Sequence, residues 1–271
     1  MVAPICTNYA SPDGSASAQL VEYYRARGRG GAALVTTEIA FIDDLGSRGF
    51  VAQLGAHHDR MIPGLNDVAE AIREGGALAG LQIGHCGSQR GLKEPPLVSA
   101  SPVPWAPTQP VPKALTMAEI AGVVKAFAAA ARRAAAAGFD LVEVHAAHGY
   151  LVNAFLSPAM NRRRDRYGGS SAARSRFALE IATAIRKEIG PELLLSFRIN
   201  GDDLLPDGLT IADYRVIARA LVDAGADLLH VSAGTYRAMN RRRRLLPGAK
   251  CRFALYRDFP DPQRQRGAER F

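Results

Sequence analysis

Hydrophobic positions along the first 236 residues follow one recurring unit: a helical pattern, a glycine and a short apolar run. Apolar residues at helical spacing predict five helices, over residues 15–27, 59–74, 116–137, 171–189 and 210–224. Thr116 with Glu119 fits a capping box, and Thr210 with Asp213 marks another helix start. We expect the glycines after these helices, at positions 28, 75, 138, 190 and 225, to adopt the left-handed conformation that ends a helix.

The apolar runs between these helices predict strands. They cover residues 32–41, 77–83, 139–145, 193–199 and 226–231, and residues 2–5 can be the end of one more strand. Mostly apolar runs are typical of strands covered on both faces, as in a parallel sheet with helices outside. About six βα units therefore predict an α/β fold, either a (β/α)8 TIM barrel or a doubly wound sheet.

The polar residues at the strand ends favour the barrel. They are Cys6, Thr7, Asn8, Thr36, Thr37, Glu38, Gln82, His85, His145, His148, Arg198, Asn200, His230 and Ser232. A barrel enzyme builds its site from many strand ends at once, whereas an open sheet concentrates its site at one switch point. No G-x-G-x-x-G follows a strand, which argues against a dinucleotide-binding sheet. Residues 85–115 hold seven prolines without a helical pattern and predict a stiff flap over the strand ends.

Charge divides the chain into two parts. Residues 1–236 contain 23 basic and 23 acidic residues, whereas residues 237–271 contain 11 basic and 3 acidic residues, so the net charge of +8 lies in the tail. We therefore predict a neutral globular domain over residues 1–236 and a basic tail, disordered or outside the fold pattern, over residues 237–271. Four consecutive arginines at 241–244 allow salt-sensitive nucleic-acid binding, but few aromatic residues accompany them, and we do not favour this partner.

Composition excludes other classes of protein. An apolar content of 48% excludes a fully disordered chain, and the absence of an 18-residue apolar run predicts no membrane span. Three cysteines in 271 residues do not form a disulfide framework, and residues 1–10 lack the pattern of a signal peptide. We therefore expect a cytoplasmic protein.

One short segment concentrates groups able to do chemistry: His145-Ala-Ala-His148-Gly-Tyr150, directly after a predicted strand. A buried core histidine and a metal site are two interpretations, but no nearby Cys, Asp or Glu completes a ligand set, and we expect no metal. The third interpretation is a clamp in which two imidazoles donate to one carbonyl oxygen and stabilise charge developing there.

Several segments of the chain together resemble the old yellow enzymes, or NADH:flavin oxidoreductases, which are FMN-binding TIM barrels. The matching stretches are residues 3–6, 81–85, 96–105, 145–150 and, most specifically, 153–170. The resemblance runs from Val2 to about Tyr236. It implies FMN as the cofactor and NADH or NADPH as the reductant.

The resemblance also implies a role for each matching residue. His145 and His148 would hold the carbonyl oxygen of the substrate, and Tyr150 would protonate its α-carbon. The residues that would contact the flavin are Pro4, Ile5 and Cys6 at the first strand end, Ile39 at the second, Gln82 on the pyrimidine side and Arg198 near N1. For Gln82 and Arg198, a polar network that braces the barrel is the structural alternative.

The expected activity is that of an ene reductase, which passes hydride from NAD(P)H through FMN to a small enone-type substrate; a homo-oligomer is possible. The family's seventh and eighth βα units, with the Gly-Arg segment that binds the FMN phosphate, have no counterpart after Tyr236. About twenty residues that precede the first strand end in the family are also missing. We therefore expect an incomplete barrel of about six units, truncated at both ends, with a shifted reading frame as one cause. An inactive fragment that cannot hold FMN is the competing hypothesis.

Overall fold

The computed structural model describes residues 1–92 and 96–238 and the backbone of residues 252–255. The strands are β1 (Leu34–Thr36), β2 (Ala40–Phe41), β3 (Leu78–Gly84), β4 (Val98–Ser99), β5 (Lys113–Ala114), β6 (Leu141–Ala146), β7 (Leu194–Asn200), β8 (Leu228–Ser232) and β9 (Arg252–Leu255). The helices are α1 (Ala18–Gly28), α2 (Ile62–Arg73), α3 (Met117–Ala136), α4 (Leu151–Leu156), α5 (Ser171–Ile189) and α6 (Ile211–Asp223), and a 3₁₀ turn (Asp59–Met61) precedes α2.

The sheet keeps its strands in chain order. β1 and β2 both pair with β3, which is followed by β6, β7 and β8, and all of these pairings are parallel. Val2 adds a parallel bridge to Val35 beside β1. A doubly wound sheet reverses its strand order at a switch point, whereas a barrel does not. The curved sheet is thus the partial (β/α)8 barrel that the sequence predicts.

The two faces of the central strands carry different residues. Val144 on β6, Phe197 on β7 and Leu229 on β8 belong to the main hydrophobic core. The alternate positions are polar, and the register places Gln82 beside Glu143, and Glu143 beside Ser196. Because side chains alternate between the faces of a strand, the apolar set faces the helices and the polar set faces the inside of the barrel.

Helix starts follow the predicted capping signals. Thr116 accepts from the N–H of Glu119, whose carboxylate accepts from the N–H of Thr116, so the capping box is confirmed. Asp213 accepts from both the N–H and the hydroxyl of Thr210 at the start of α6. α1 starts at Ala18 rather than Ser15, because Ser17 is its N-cap.

The expectation for the five glycines is correct at three positions and wrong at two. Gly138, Gly190 and Gly225 have positive φ values of 79°, 66° and 108°. Gly28 and Gly75 do not; a Cβ on Gly28 would overlap the carbonyl of Ile72, and one on Gly75 would overlap the backbone of Gly28. These two glycines therefore allow α1 and α2 to approach closely.

Three further differences concern secondary structure. The strand predicted over residues 32–41 is divided into β1 and β2, and α4 was not predicted. The described residues of the proline-rich segment form no helix, as expected, but they contain the parallel pair β4 and β5, which was not predicted. The segment lies beside the turn after β6, since Gln89 Nε2 donates to the carbonyl of His148 at 3.0 Å.

Most of the predicted basic tail lies outside the described residues. Within it, β9 pairs antiparallel with β8. In the part of the chain that the structure describes, no helix combines the length and apolar character needed to cross a membrane.

Candidate active site

His145 lies near the end of β6, and His148 lies in the sharp turn between β6 and α4. His148 has a φ of +62° and Gly149 one of +86°, and the positive φ is unusual for a residue with a side chain. Three contacts hold the turn. The N–H of His148 donates to Asn200 Oδ1 at 3.3 Å, the His148 carbonyl accepts from Gln89, and the N–H of Gly149 donates to Asn153 Oδ1 at 2.7 Å. The neighbouring strand and helix thus fix a backbone that the turn sequence alone does not favour.

The two imidazoles face each other. His145 Nε2 and His148 Nδ1 are 3.4 Å apart, and the rings are nearly perpendicular. The N–H of Ala147 donates to His145 Nδ1 at 3.3 Å, so a neutral His145 carries its proton on Nε2. His148 Nε2 lies 2.7 Å from Ser232 Oγ, and when that hydroxyl donates, the proton of His148 is on Nδ1. Both facing nitrogens then carry a proton, and an acceptor oxygen placed between them would relieve the repulsion between the two N–H groups.

Both imidazoles are neutral at physiological pH. Burial lowers the pKa of His148 to about 3, and the charges of Arg198 and His230 act in the same direction. Burial also holds the pKa of His145 well below its usual value, with contributions from the same neighbours. The pair can therefore donate two hydrogen bonds without carrying positive charge.

Tyr150 occupies the N-cap position of α4, against the edge of His145. The ring centroids are 4.7 Å apart, and Ile39 and Cys86 pack beneath the phenol. Its hydroxyl lies 3.5 Å from that of Tyr236, which is 40% exposed. Burial raises the pKa of Tyr150, followed by the charge effects of Cys86 and Tyr236, so the phenol stays protonated.

Arg198 lies next to the imidazole pair on the inner face. The register places it between His145 on β6 and His230 on β8. Its Nη1 donates to the carbonyl of Pro4 at 3.3 Å, while its buried Nε has no hydrogen-bond partner among the described residues. A buried N–H without an acceptor is costly, so the group fits a ligand that accepts a hydrogen bond here.

Gln82 lies deeper in the barrel than the histidines. Its Nε2 donates to Glu143 Oε1 at 2.8 Å. Glu143 Oε2 accepts from Ser196 Oγ at 3.1 Å and pairs with His230 Nδ1 at 2.9 Å. The bracing network weighed for Gln82 is therefore present, and its contact with a cofactor stays a prediction.

The remaining predicted flavin contacts lie at the edge of the same site. Ile5 is 65% exposed, although it is apolar. Cys6 is half-buried, and burial followed by the charge of Glu38 raises its thiol pKa to about 11. Glu38 accepts from the N–H of Thr7 at 2.6 Å and from the N–H of Leu54 at 3.0 Å, which fixes the first strand end. Ile39 is buried below Tyr150.

A buried aspartate supports the site from behind. Asp203 accepts hydrogen bonds from Ser157 Oγ, Asn200 Nδ2, the N–H of Leu209 and the hydroxyl of Tyr214, at 2.7 to 3.0 Å. Asn153, whose side chain holds the turn at Gly149, also donates to Tyr214 at 2.7 Å. Sequence reasoning missed Asp203, Glu143, Ser196 and Tyr236. Only Glu143 and Ser196 had a local signal, the polar alternation within otherwise apolar strands.

One large groove lies away from this site. It measures about 670 Å³ and lies between α6 and the outer face of β7 and β8, lined by residues such as Tyr214, Val216 and Val231. None of the predicted site residues lines it. The convergence of polar groups, and not cavity volume, identifies the strand ends as the candidate active site.

Comparisons with known proteins concern the sequence and the fold of the chain. The sequence profile of the NADH:flavin oxidoreductase / NADH oxidase family matches residues 1–253, further than the limit near Tyr236 drawn from the motifs. NADH oxidase of Thermoanaerobacter brockii is 40% identical over 242 residues, which cover 87% of this chain but 37% of that protein. NADPH dehydrogenase of Geobacillus thermodenitrificans (strain NG80-2) is 37% identical over 257 residues, which are 94% of this chain and 74% of that protein.

A solved structure matches the fold of this chain. The complex of 2-naphthoyl-CoA reductase with 2-naphthoyl-CoA matches with a TM-score of 0.83 and 32% identity, over 88% of this chain and 38% of that protein. The chain therefore spans little more than a third of the length of two of these three proteins.

Proposed function

This chain belongs to the NADH:flavin oxidoreductase / NADH oxidase family, and we propose that it acts as an FMN-dependent reductase of the ene reductase type. NADH or NADPH is the reductant and an α,β-unsaturated carbonyl compound is the substrate. The observation that carries the proposal is the pair of neutral imidazoles whose facing nitrogens, His145 Nε2 and His148 Nδ1, are 3.4 Å apart and can both donate to one acceptor oxygen.

The residues at the strand ends fit FMN. Arg198 offers a cationic group with a buried, unpartnered Nε, which suits the electron-rich pyrimidine edge of a flavin. Ile5, which follows the Pro4 whose carbonyl accepts from Arg198, offers an exposed apolar surface. We assign the flavin contacts to these two residues together with Pro4, Cys6, Ile39 and Gln82. Bound there, FMN supplies the hydride that it takes from the nicotinamide.

His145 and His148 stabilise charge on the substrate. When the β-carbon of an enone accepts a hydride, negative charge develops on its carbonyl oxygen. Two N–H donors aimed at that oxygen stabilise the charge, and each donor contributes about 3 kcal/mol. Because both imidazoles are neutral, they bind a neutral carbonyl without also attracting anions.

Tyr150 supplies the proton that completes the reduction. Its phenol is neutral and its ring lies against that of His145, so it is close to a carbonyl compound held by the imidazole pair. Tyr236 connects it with solvent, since the two hydroxyls are 3.5 Å apart and Tyr236 is partly exposed. The pair thus offers a route by which the phenol regains its proton.

The visible spectrum of the purified full chain, before and after addition of FMN, tests cofactor binding. We expect flavin bands that remain after gel filtration, together with NAD(P)H-dependent reduction of a simple cyclic enone. The double variant His145→Ala/His148→Ala should retain FMN but lose at least about a hundredfold in kcat/KM. Tyr150→Phe should lose about a hundredfold in turnover.

Lys125→Ala, on an exposed part of α3, is the control and should match the wild type. A chain that does not retain FMN would overturn the proposal and favour the inactive-fragment hypothesis. Unchanged turnover in the double histidine variant would overturn the role of the clamp.

A further inference from the structure

Three side chains with metal-binding atoms meet outside the candidate active site. Asp44 lies in the loop after β2, and His57 and His58 directly precede the 3₁₀ turn at Asp59–Met61. One potential ligand atom from each lies within 4.8 Å of the other two. Twelve residues lie between Asp44 and His57, so the chain fold, and not a local motif, brings them together.

His57 is a buried imidazole with unsatisfied hydrogen-bonding capacity. Its side chain is 2% exposed and stacks on Phe41, with the ring centroids 4.2 Å apart. Its Nδ1 has no hydrogen-bond partner among the described residues, and its Nε2 is 3.5 Å from Asp44 Oδ1, too long for a good hydrogen bond. A Cβ on Gly55 would overlap this ring, so the backbone leaves room for it.

The nitrogen of His57 that faces Asp44 is free to bind an ion. Its Nε2 lies 3.5 Å from Asp44 Oδ1. When the ring proton is on Nδ1, Nε2 has a lone pair for a metal ion. A cation between this nitrogen and the carboxylate would interact favourably with both groups.

His58 and Asp44 complete the group on the solvent side. His58 Nε2 and Asp44 Oδ2 are 2.7 Å apart and share a proton that a metal can replace. In a tetrahedral zinc site with bonds of about 2.1 Å, neighbouring ligand atoms are about 3.4 Å apart. His57 Nε2 is 3.5 Å from Asp44 Oδ1, close to this value, whereas His58 Nε2 is 2.7 Å from Oδ2 and would move away from the carboxylate when a metal replaces the shared proton. Both side chains are about half exposed, which leaves room for water ligands.

We propose that Asp44, His57 and His58 form a binding site for a divalent transition metal ion, with Zn²⁺ as its representative. Two imidazole nitrogens and one carboxylate oxygen favour such an ion over Mg²⁺ or Ca²⁺, which prefer oxygen ligands. The site ties the loop after β2 to the start of α2, and the metal stabilises the folded chain by binding it selectively.

Neighbouring charges limit the affinity without preventing binding. Arg60 and Arg133 are the cations that act on His57. Arg133 Nε donates to Asp59 Oδ1 at 2.7 Å, so its charge is largely compensated. Asp44 supplies the negative charge within the ligand set.

Zn²⁺ uptake by the full chain, measured by competition with a chromophoric chelator, tests the site, and Co²⁺ serves as a spectroscopic probe. We expect one equivalent of Zn²⁺, visible d–d bands with Co²⁺, and a rise in melting temperature with either ion. Asp44→Asn and His58→Ala change exposed side chains, so both variants should fold. Each should bind at least tenfold more weakly than the wild type and lose the rise in melting temperature.

Two controls assign the ion to this place. Asp67→Asn removes an exposed carboxylate on α2 and should bind Zn²⁺ like the wild type. His148→Ala should also keep the full equivalent, which excludes chelation by the active-site histidines. The proposal is overturned if the wild type takes up less than one equivalent, or if Asp44→Asn and His58→Ala bind as tightly as the wild type. None of these readouts depends on FMN or on turnover.

Discussion

Asp203 and Glu143 are both fully buried carboxylates near the same site, but they organise different parts of the molecule. Asp203 binds donors from β7, from the segment after α4, and from α6 and the loop before it, and through this network it holds the backbone of the turn that carries His148. Glu143 binds Gln82, Ser196 and His230, which are all inner-face side chains of neighbouring strands. One carboxylate therefore shapes the backbone of the site, and the other arranges its side chains.

This difference explains where the most specific sequence motif acts. Residues 153–170 carried the strongest resemblance, yet several of their polar side chains hold backbone, both within the motif and in other segments. Asn161 Nδ2 donates to the carbonyls of Phe155 and Tyr167, and Arg163 Nη1 donates to those of Ala100 and Leu115. The motif therefore holds the backbone around the site more than it contributes to the chemistry of the site.

The largest effect on stability should follow from Asp203→Ala. The change leaves four buried donors without their acceptor, and we expect a loss of about 4 kcal/mol in the free energy of unfolding, measured with urea. Asp207→Ala is the matched control, because Asp207 is exposed and only pairs with Arg162 at the surface. Equal losses in the two variants would contradict the assignment of Asp203 as a buried hub.

A smaller effect is expected for Glu143→Gln. The amide keeps the shape but has one acceptor oxygen, and the Ser196 hydroxyl and the His230 ring can reorient to match it. We expect a loss of about 2 kcal/mol in the free energy of unfolding. Because only Arg198 on β7 lies between the reoriented His230 and His145 in the register, we expect kcat/KM per folded molecule to fall as well.

The control for this change is Glu188→Gln, on the exposed part of α5. If Glu143→Gln lowers stability as much as Asp203→Ala does and leaves kcat/KM per folded molecule unchanged, Glu143 also holds the backbone. The two carboxylates would then not differ in the parts of the molecule that they organise.

The parts that sequence could predict are those that depend on neighbours along the chain. Helix periodicity, the capping residue Thr116 and the strand-end histidines are local patterns, and the structure has them as predicted. Gly28 and Gly75 were misassigned because helix packing, and not turn geometry, requires a glycine there.

The parts that were missed depend on partners distant in the chain. Glu143 and Ser196 meet only because the register of β6 and β7 aligns them. Asp203 and Tyr214 meet across a loop, and Asp44 meets His57 through the fold of β2. The roles of the nine predicted site residues stay predictions until the variants are measured.

The buried side chains of the site and the network around Asp203 should respond differently to a fall in pH. His148 has a folded pKa of about 3 and an unfolded value near 6.5, so below pH 6.5 the unfolded chain binds more protons. Its contribution to stability is complete above pH 6.5 and is lost as the pH falls. Between pH 6.5 and about 4.5 the wild type should lose about 1.4 kcal/mol per pH unit more than His148→Gln does.

The titration of carboxylates does not overlap with this pH range. The pKa of Glu119, lowered to about 2 by its hydrogen bonds to Lys113 and Thr116, affects stability only below its ordinary value of 4.5. Asp203→Asn should keep the slope of the wild type. Equal slopes for the wild type and His148→Gln would show that His148 is not neutral in the folded protein.

The smallest effect concerns the hydroxyl that sets the tautomer of His148. Ser232→Ala removes the donor 2.7 Å from His148 Nε2, so the proton should move from Nδ1 to Nε2 in a larger fraction of molecules. We expect about 1 kcal/mol of lost transition-state stabilisation, or roughly a fivefold fall in kcat/KM, with stability nearly unchanged. Nitrogen chemical shifts of the imidazole report the tautomer directly. Ser232→Thr keeps the hydroxyl and should restore both the chemical shift and the rate. If it behaves like alanine, Ser232 acts through packing, and the geometry of the side-chain donors in the site depends on Arg198 and the backbone alone.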